Sequence, residues 1–215
     1  MNMNMPLDKL NRPVKDLRIS VTDRCNFRCT YCMPKEVYGE SFKFLPKEEL
    51  LDFDEIFRIA ECFAKLGVNK IRLTGGEPLV RRNIDQLIRK LSTIDEIDDI
   101  AMTTNAYLLE SKLDALIDAG LKRLTVSLDS IDDKTFKKMS GQDFDVNKVL
   151  SAINQANKKG FKKIKINCVI QKNVNEHSIL DLLDYFRDSG NIVRFIEYMD
   201  VGNLNGWELR DVLSI

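Results

Sequence analysis

A single histidine stands among 215 residues, so chemistry that needs several imidazoles is excluded. The formal charge sums to zero, 33 Lys and Arg against 33 Asp and Glu. That balance argues against holding nucleic acid or an anionic membrane as the main work of the chain. No apolar run approaches the ~18 residues of a membrane helix. The opening MNMNMPLDKLNRP has neither a basic stretch nor an apolar one, so no secretory leader is read there. Ten glycines and five prolines are too few for a collagen-like chain. What is present is ordinary for a globular protein: 44% hydrophobic and 31% charged residues. At ~150 residues per domain, residues 1–215 are expected to form one domain. The expected setting is the cytoplasm, with neither membrane nor nucleic acid as partner.

The five cysteines are an odd number, and three lie together in Cys25-Asn26-Phe27-Arg28-Cys29-Thr30-Tyr31-Cys32. A secreted disulfide framework favours an even count in a shorter chain, so a reducing compartment fits better. Cys62 lies in the amphipathic stretch Leu50 to Leu66, and Cys168 in the β-rich run Ile164 to Ile170. Both are expected to be small buried hydrophobes.

Short β-branched runs recur at Leu17–Val21, Lys70–Thr74, Ile100–Thr104, Arg123–Leu128, Lys163–Ile170 and Ile192–Tyr198. Helix-like stretches lie between them: Pro46–Leu66, Asn83–Leu91, Glu110–Ala119, Asp132–Lys138 with Val146–Lys159, and Glu176–Arg187. Gly67, Gly120, Gly160 and Gly190 fall where helix stops are expected. Helix following strand repeatedly predicts an α/β fold of parallel strands with right-handed crossovers. Either part of a barrel or a doubly wound sheet satisfies that pattern.

Residues two apart on a strand share a face. Arg18, Ser20 and Thr22 therefore face one way, as do Lys70, Arg72 and Thr74, and Thr103 with Asn105. The same holds for Thr125, Ser127 and Asp129, and for Lys163, Lys165 and Asn167. The other faces are apolar and suit packing under helices. A polar row on five strands cannot fill a dry lumen layered with Val, Ile and Leu. It predicts a wide, wet cavity lined with cations and hydroxyls.

Thiolates at the spacing of Cys25, Cys29 and Cys32 serve either zinc or iron. A structural zinc site closes its tetrahedron with a fourth Cys or His. Cys62, Cys168 and His177 are the candidates, and none has a second Cys or His beside it. Three thiolates on one short loop suit a [4Fe-4S] cluster with one iron left open. The loop follows the first strand, at the end where α/β folds keep their sites.

Cys25-x3-Cys29-x2-Cys32 with Tyr31 before the last Cys, together with Gly75-Gly76-Glu77-Pro78 after the second strand, resembles the radical S-adenosylmethionine (SAM) superfamily. Within it, Asp16 to Cys29, Ile71 to Leu79, Val126 to Ser130 and Arg194 to Met199 resemble the GTP 3′,8-cyclase family of molybdenum-cofactor biosynthesis. The likeness runs from about Leu10 to Trp207. It implies an incomplete (βα)6 barrel whose Cys25, Cys29 and Cys32 bind one cluster. It also implies that Tyr31, Gly75, Gly76, Glu77, Asn105, Ser127 and Met199 meet SAM. Arg18, Lys70, Arg72, Thr103 and Lys165 would meet GTP, and Arg194 would take a catalytic part. In that family the cluster's electron splits SAM to methionine and a 5′-deoxyadenosyl radical, which takes hydrogen from C3′ of GTP before that carbon closes onto C8. An electron donor such as flavodoxin or ferredoxin, the next enzyme of the molybdopterin pathway and a homodimer are the implied partners. Ala106 stands where the family often has Gly.

The family continues for roughly another hundred residues, with three more Cys for a second cluster that binds the guanine. This sequence has no such trio after Cys32, so these residues are expected to cleave SAM uncoupled from cyclisation. Glu208–Leu213 is predicted to open a further helix, and Ile192–Tyr198 to leave an open edge that favours association. Other features have plainer expected roles. His177 is expected at the surface, Asp132-Asp133 as a helix cap, and Lys158-Lys159 with Lys162-Lys163 as a solvated face. Arg81-Arg82 either screens a phosphate or flanks a loop.

Overall fold

A computed structural model describes residues 6–201 and 206–214. Among these residues six strands run parallel in one sheet: β1 (Asp16–Ser20), β2 (Lys70–Thr74), β3 (Asp99–Thr104), β4 (Arg123–Ser127), β5 (Lys165–Ile170) and β6 (Ile192–Glu197). Their order in the sheet is their order in the chain, with β1 and β6 at the edges. A doubly wound sheet reverses strand order partway. This one does not, so right-handed crossovers bring every helix to one face and leave the other as the inner wall of an unclosed barrel.

The helices are α1 (Phe53–Lys65), α2 (Ile84–Leu91), α3 (Leu113–Asp118), α4 (Asp133–Ser140), α5 (Val146–Lys158) and α6 (Ser178–Phe186). The stretch expected to start α1 at Pro46 divides in two. Lys47–Glu49 forms a separate 3-10 turn, and the helix begins only where Asp52 and Glu55 close a capping box. Each side chain accepts the other's backbone N–H at 2.7 Å, which satisfies two donors that no helical carbonyl reaches. Glu110–Ala119 divides likewise, into a 3-10 turn and α3.

Apolar residues of the strands, among them Ile71, Leu73, Met102, Val126 and Ile166, pack beneath Ile88, Leu91, Leu116 and Ile153 of the helices. Each such side chain contributes roughly 1.5–3 kcal/mol by leaving water. Cys168 lies fully buried in this layer, as expected. Cys62 does not: it is exposed. The buried stripe of α1 is Ile56, Ala60 and Ala64, spaced by four, and a residue two beyond Ala60 lies on the opposite side of the helix.

Two expectations change at strand ends. Lys163 precedes β5 and takes a left-handed backbone, φ 55°, so it joins the polar wall from a turn. Glu208–Leu213 forms no helix. Leu209–Asp211 is one 3-10 turn, Val212 bridges to Gln171, and Lys172 N–H donates to the Asp211 carbonyl at 2.9 Å. The segment is held by the loop after β5, which competes with helical pairing for its backbone groups.

Candidate active site

Strand register turns the alternating polar residues into rows across the inner face. Arg18 pairs with Arg72, and that row continues through Ala101 to Arg123. Two residues further up, Ser20 pairs with Thr74, and Thr103 with Thr125, which in turn pairs with Lys165. Above these, Ser127 pairs with Asn167 and Asn167 with Arg194. The wall thus carries cations low down and hydroxyls and amides toward the C-terminal strand ends, with Arg194 at the upper level on the edge strand.

A cavity of about 210 Å³ opens at those C-terminal ends. Cys25, Cys29, Cys32 and Tyr31 line it, with Gly75, Gly76, Glu77, Thr103, Asn105, Ser127 and Arg18. Burial pushes the Cys25 thiol up to about 11, the Cys29 thiol well above its usual value, and the Cys32 thiol upward too. The three buried thiols therefore stay protonated until a cationic group replaces their protons. Among the described residues no trio of His, Cys, Asp or Glu converges on a single ion. Three thiols spread along one cavity wall instead suit a multi-iron group that takes one thiolate per iron. The donor set fits a [4Fe-4S] cluster.

The Cys loop is built from outside contributions. Arg28 donates through Nη1 to the carbonyls of Cys25 (2.7 Å) and Phe27 (2.8 Å), and through Nε to that of Tyr38 (2.7 Å). Arg28 and Thr30 N–H donate to Ser140 and Met139 carbonyls (2.8 and 3.2 Å), closing the C-terminal end of α4. Gly141 takes φ 63° there, and a Cβ on it would meet the Arg28 carbonyl oxygen at 2.1 Å. Only glycine lets the helix end and the Cys loop approach this closely. Phe27 anchors the loop below, edge-on to Phe136 and Tyr107.

The Gly-Gly turn meets the same loop from the other side. A Cβ on Gly75 would lie 2.4 Å from the Thr22 carbonyl oxygen, and one on Gly76 2.3 Å from that of Arg24. Gly76 and Glu77 N–H donate to these two carbonyls at 2.7 and 2.8 Å. The missing side chains thus admit the Cys loop's own backbone as well as leaving cavity wall. Glu77, expected to meet SAM, lines the cavity, but its carboxylate binds protein: it accepts from Leu79 N–H (2.9 Å), the Thr104 hydroxyl (2.7 Å) and Asn105 N–H (2.7 Å). Asn105 Nδ2 then donates to Asn26 Oδ1 at 2.8 Å, reaching the residue after Cys25. Burial raises the Glu77 carboxyl to about 7 against those three donors.

Asp129 closes the opposite side. It is buried, accepts the Tyr31 hydroxyl at 2.9 Å and Val169 N–H at 2.9 Å, and is raised to about 6 by burial. Tyr31 is thereby fixed between Cys29 and Cys32.

Some expected residues stand apart from the cavity. Lys70 pairs with Asp16 and Asp99 at the base of the sheet. Arg72 and Lys165 line a separate small cavity with Arg123 and Lys163, so the single wide cavity expected from the alternation is divided into two levels. Met199 is exposed in the loop after β6. Arg81 is a structural clamp, donating to the Val21 (2.6 Å) and Leu51 (2.5 Å) carbonyls over the Phe53 ring. Asp132 caps α4 and His177 is exposed, as expected. Arg28, Gly141 and the Asp99–Arg123 pair were not anticipated as site residues; Asp129 was expected on the polar wall, but not as the acceptor for Tyr31. The signals were available: Gly141 as a helix stop, Arg123 by its place two residues before Thr125.

Comparison with known proteins agrees with this geometry. The family model described as the Radical SAM superfamily matches residues 19–186. Curated proteins named GTP 3′,8-cyclase from Staphylococcus aureus strains JH9 and Newman are 55% identical over 207 residues, 96% of this chain. The chain spans 61% of the length of those relatives. SuiB of Streptococcus suis bound to S-adenosylmethionine superposes with TM-score 0.71 at 21% identity, covering 90% of this chain and 43% of that one. Methylornithine synthase gives 0.70 at 17% identity, covering 93% and 58%. At these identities the two structures speak to the fold alone.

Proposed function

The chain belongs to the radical SAM superfamily, and from that premise we propose that it carries the chemistry of a GTP 3′,8-cyclase, a lyase of molybdenum-cofactor biosynthesis. One observation carries this reading: a cavity walled by three thiols stands directly above a row of cations on the same sheet face. Two to four residues along a strand separate the levels, ~7–13 Å, a span over which a nucleotide reaches from its sugar to its phosphates. The relatives' 55% identity over nearly the whole chain supports it.

Cys25, Cys29 and Cys32 would hold a [4Fe-4S] cluster, which when loaded supplies the electron that divides SAM. The other residues position and exclude. Gly75 and Gly76 present backbone to the cavity, Ser127 and Asn105 offer hydrogen bonds from β4 and the end of β3, and Phe136 and Met139 close the apolar side. Arg18 reaches from the cation row into the cavity, where it would tie a nucleotide's phosphates to its sugar. Arg72, Lys70 and Lys165 would hold the phosphates below, and Thr103 stands between the levels. We assign Arg194 to the substrate from its upper position beside Asn167, and Met199 to SAM by resemblance. An acidic electron-transfer protein of the flavodoxin or ferredoxin class and a cytoplasmic setting complete the reading. No helix among the described residues is long and apolar enough to cross a membrane.

The test is anaerobic reconstitution with iron and sulfide, reduction with dithionite in the presence of SAM, and measurement of 5′-deoxyadenosine with and without GTP. The expected result from these 215 residues is SAM cleavage, GTP retained through its phosphates, and little cyclised nucleotide. A cluster that ignores SAM would make the chain an electron carrier. SAM cleavage with no nucleotide preference would make it a radical enzyme for a peptide or another small molecule.

A further inference from the structure

Arg123 extends the cation row where the strand register leaves a gap. Arg18 and Arg72 are direct neighbours on β1 and β2, and the next position, on β3, is Ala101, a buried methyl. Beyond it stands Arg123 on β4. Arg72 and Arg123 therefore flank a floor two strand spacings wide, ~10 Å, with a small side chain between them. Arg123 does not hang loose there. Its Nε donates to Asp99 Oδ1 at 2.8 Å and its Nη2 meets Asp99 Oδ2, a fork-to-fork pair. That pair engages two of the five guanidinium N–H groups and fixes the plane of the rest. The Arg123 side chain remains 42% exposed while Asp99 is 19% exposed, so the pairing leaves part of Arg123 accessible.

The row is short of negative charge. Arg72 is shifted downward by burial first and then by Arg123, Arg18 and Arg194. Lys165 is shifted downward by burial and then by Arg194, Arg123 and Arg72. Asp16 and Asp99 act in the other direction on Arg72 and Lys165 respectively. An anion lying along the row would relieve this repulsion.

We infer that Arg123, oriented by Asp99, is a further arm of the phosphate site and makes it select a long phosphate chain over a short one. The inference deepens the nucleotide reading above and rests on it. A single phosphate is reached by Arg18, Arg72 or Lys165 alone; a chain that crosses the Ala101 floor also reaches Arg123. Asp99 has two effects of opposite sign: it holds the guanidinium in place, and it cancels part of the row's charge.

These effects give a test by sign. Competition titrations with orthophosphate, pyrophosphate, tripolyphosphate, GMP, GTP and ATP would be run on the chain and on Arg123→Ala and Asp99→Asn, at low and moderate salt. Arg123→Ala is expected to weaken tripolyphosphate and GTP about tenfold, and orthophosphate and GMP less than about twofold. Asp99→Asn is expected to tighten tripolyphosphate about two- to fivefold at low salt, because it removes a carboxylate and leaves the cation. Arg123→Lys should fall between Arg123→Ala and the parent, keeping charge without the fork. A merely structural ion pair predicts something else: both variants weaken every ligand alike and lower the melting temperature together. That result, or an Arg123→Ala loss independent of phosphate number, overturns the inference. Binding of tripolyphosphate that depends on Arg123, with GTP held no better than free tripolyphosphate, would instead leave the inference standing and remove the nucleotide reading.

Discussion

The two levels of the inner wall are stabilised by different means. At the C-terminal strand ends the buried carboxylates are already paired with protein, while Asn26 Nδ2 and Asn167 Oδ1 are buried without a partner. Glu77 has three donors, Asp129 has two, and the Cys loop is fastened to α4 on one side and to the Gly-Gly turn on the other. Two to four residues lower, cations face cations, and Asp99 gives Arg123 its partner. The upper level is a largely paired scaffold around three thiols, so changes there should act on folding and on any cofactor held there together. The lower level is left electrostatically unfinished, so changes there should act on ligand binding and leave the fold alone.

The sharpest break falls on the thiols. Cys29→Ala is expected to abolish iron incorporation of about four atoms per chain and the broad visible absorption that accompanies it, since three ligands are the minimum on this loop. Cys62→Ala, on the outward face of α1, should keep both. Retention of four irons by the Cys29 variant would dissociate the cluster from this cavity. The second-largest effect belongs to Gly76→Ala. Its Cβ would lie 2.3 Å from the Arg24 carbonyl oxygen, so either the turn or the Cys loop must move, at about 3 kcal/mol and with loss of SAM binding. Gly160→Ala is the clash-free control. Gly160 has a positive φ that Gly76 lacks, but no atom lies within 4 Å of its Cβ, so denaturant midpoints should register only the backbone strain, about 1 kcal/mol.

The fold was legible because each helix and strand carries its own period, and strand faces alternate with few exceptions. The cysteine loop and Gly-Gly turn were legible as motifs. Their joinery was not. Nothing local to Asp129 says that Tyr31, 98 positions away, donates to it. Arg28 reads as an ordinary surface cation between two cysteines, until the loop folds around it and three carbonyls converge on its guanidinium. Glu77 lines the cavity, but a motif reports which residue is needed and not which way its carboxylate turns. Cys62 was misread because an amphipathic stretch fixes a stripe only once its phase is known. One residue of uncertainty in phase moves a side chain by 100° around the helix.

The Glu77 network sets the next effect. Its carboxyl is raised from 4.5 to about 7, so in that interval the folded chain holds a proton that the unfolded chain has lost. Stability from this group is therefore complete below about pH 4.5 and declines as pH rises through 7, by about 3 kcal/mol. Glu77→Gln should flatten that slope. It should also cost about 2 kcal/mol at neutral pH, because an amide NH2 then faces the Asn105 N–H where an acceptor stood. A slope unchanged by Glu77→Gln would place the titration on another group.

Lower on the wall, Arg72→Ala should weaken GTP binding about tenfold, more at low salt, with SAM binding unchanged. Thermal melting without ligand should hold steady or rise, since the change removes repulsion from Arg18, Arg123 and Arg194. A large drop in melting temperature would erase the distinction between the two levels.

The smallest effect tests that distinction on the upper side with a single atom. Tyr31→Phe keeps the ring between Cys29 and Cys32 and removes only the hydroxyl that donates to Asp129 at 2.9 Å. Asp129 keeps Val169 N–H, so its carboxylate is left half-satisfied rather than bare. The loss of one donor to a buried acceptor should cost about 1 kcal/mol and should move the Asp129 carboxyl further above about 6. Both changes should be present without iron, SAM or nucleotide, because the bond belongs to the scaffold itself. The comparison with Arg72→Ala is then direct. Loss of one oxygen at the upper level lowers the unfolding midpoint of the ligand-free chain, whereas loss of a whole guanidinium at the lower level does not. Equal midpoints for parent and Tyr31→Phe would mean that the upper level, too, is completed only by what binds in it.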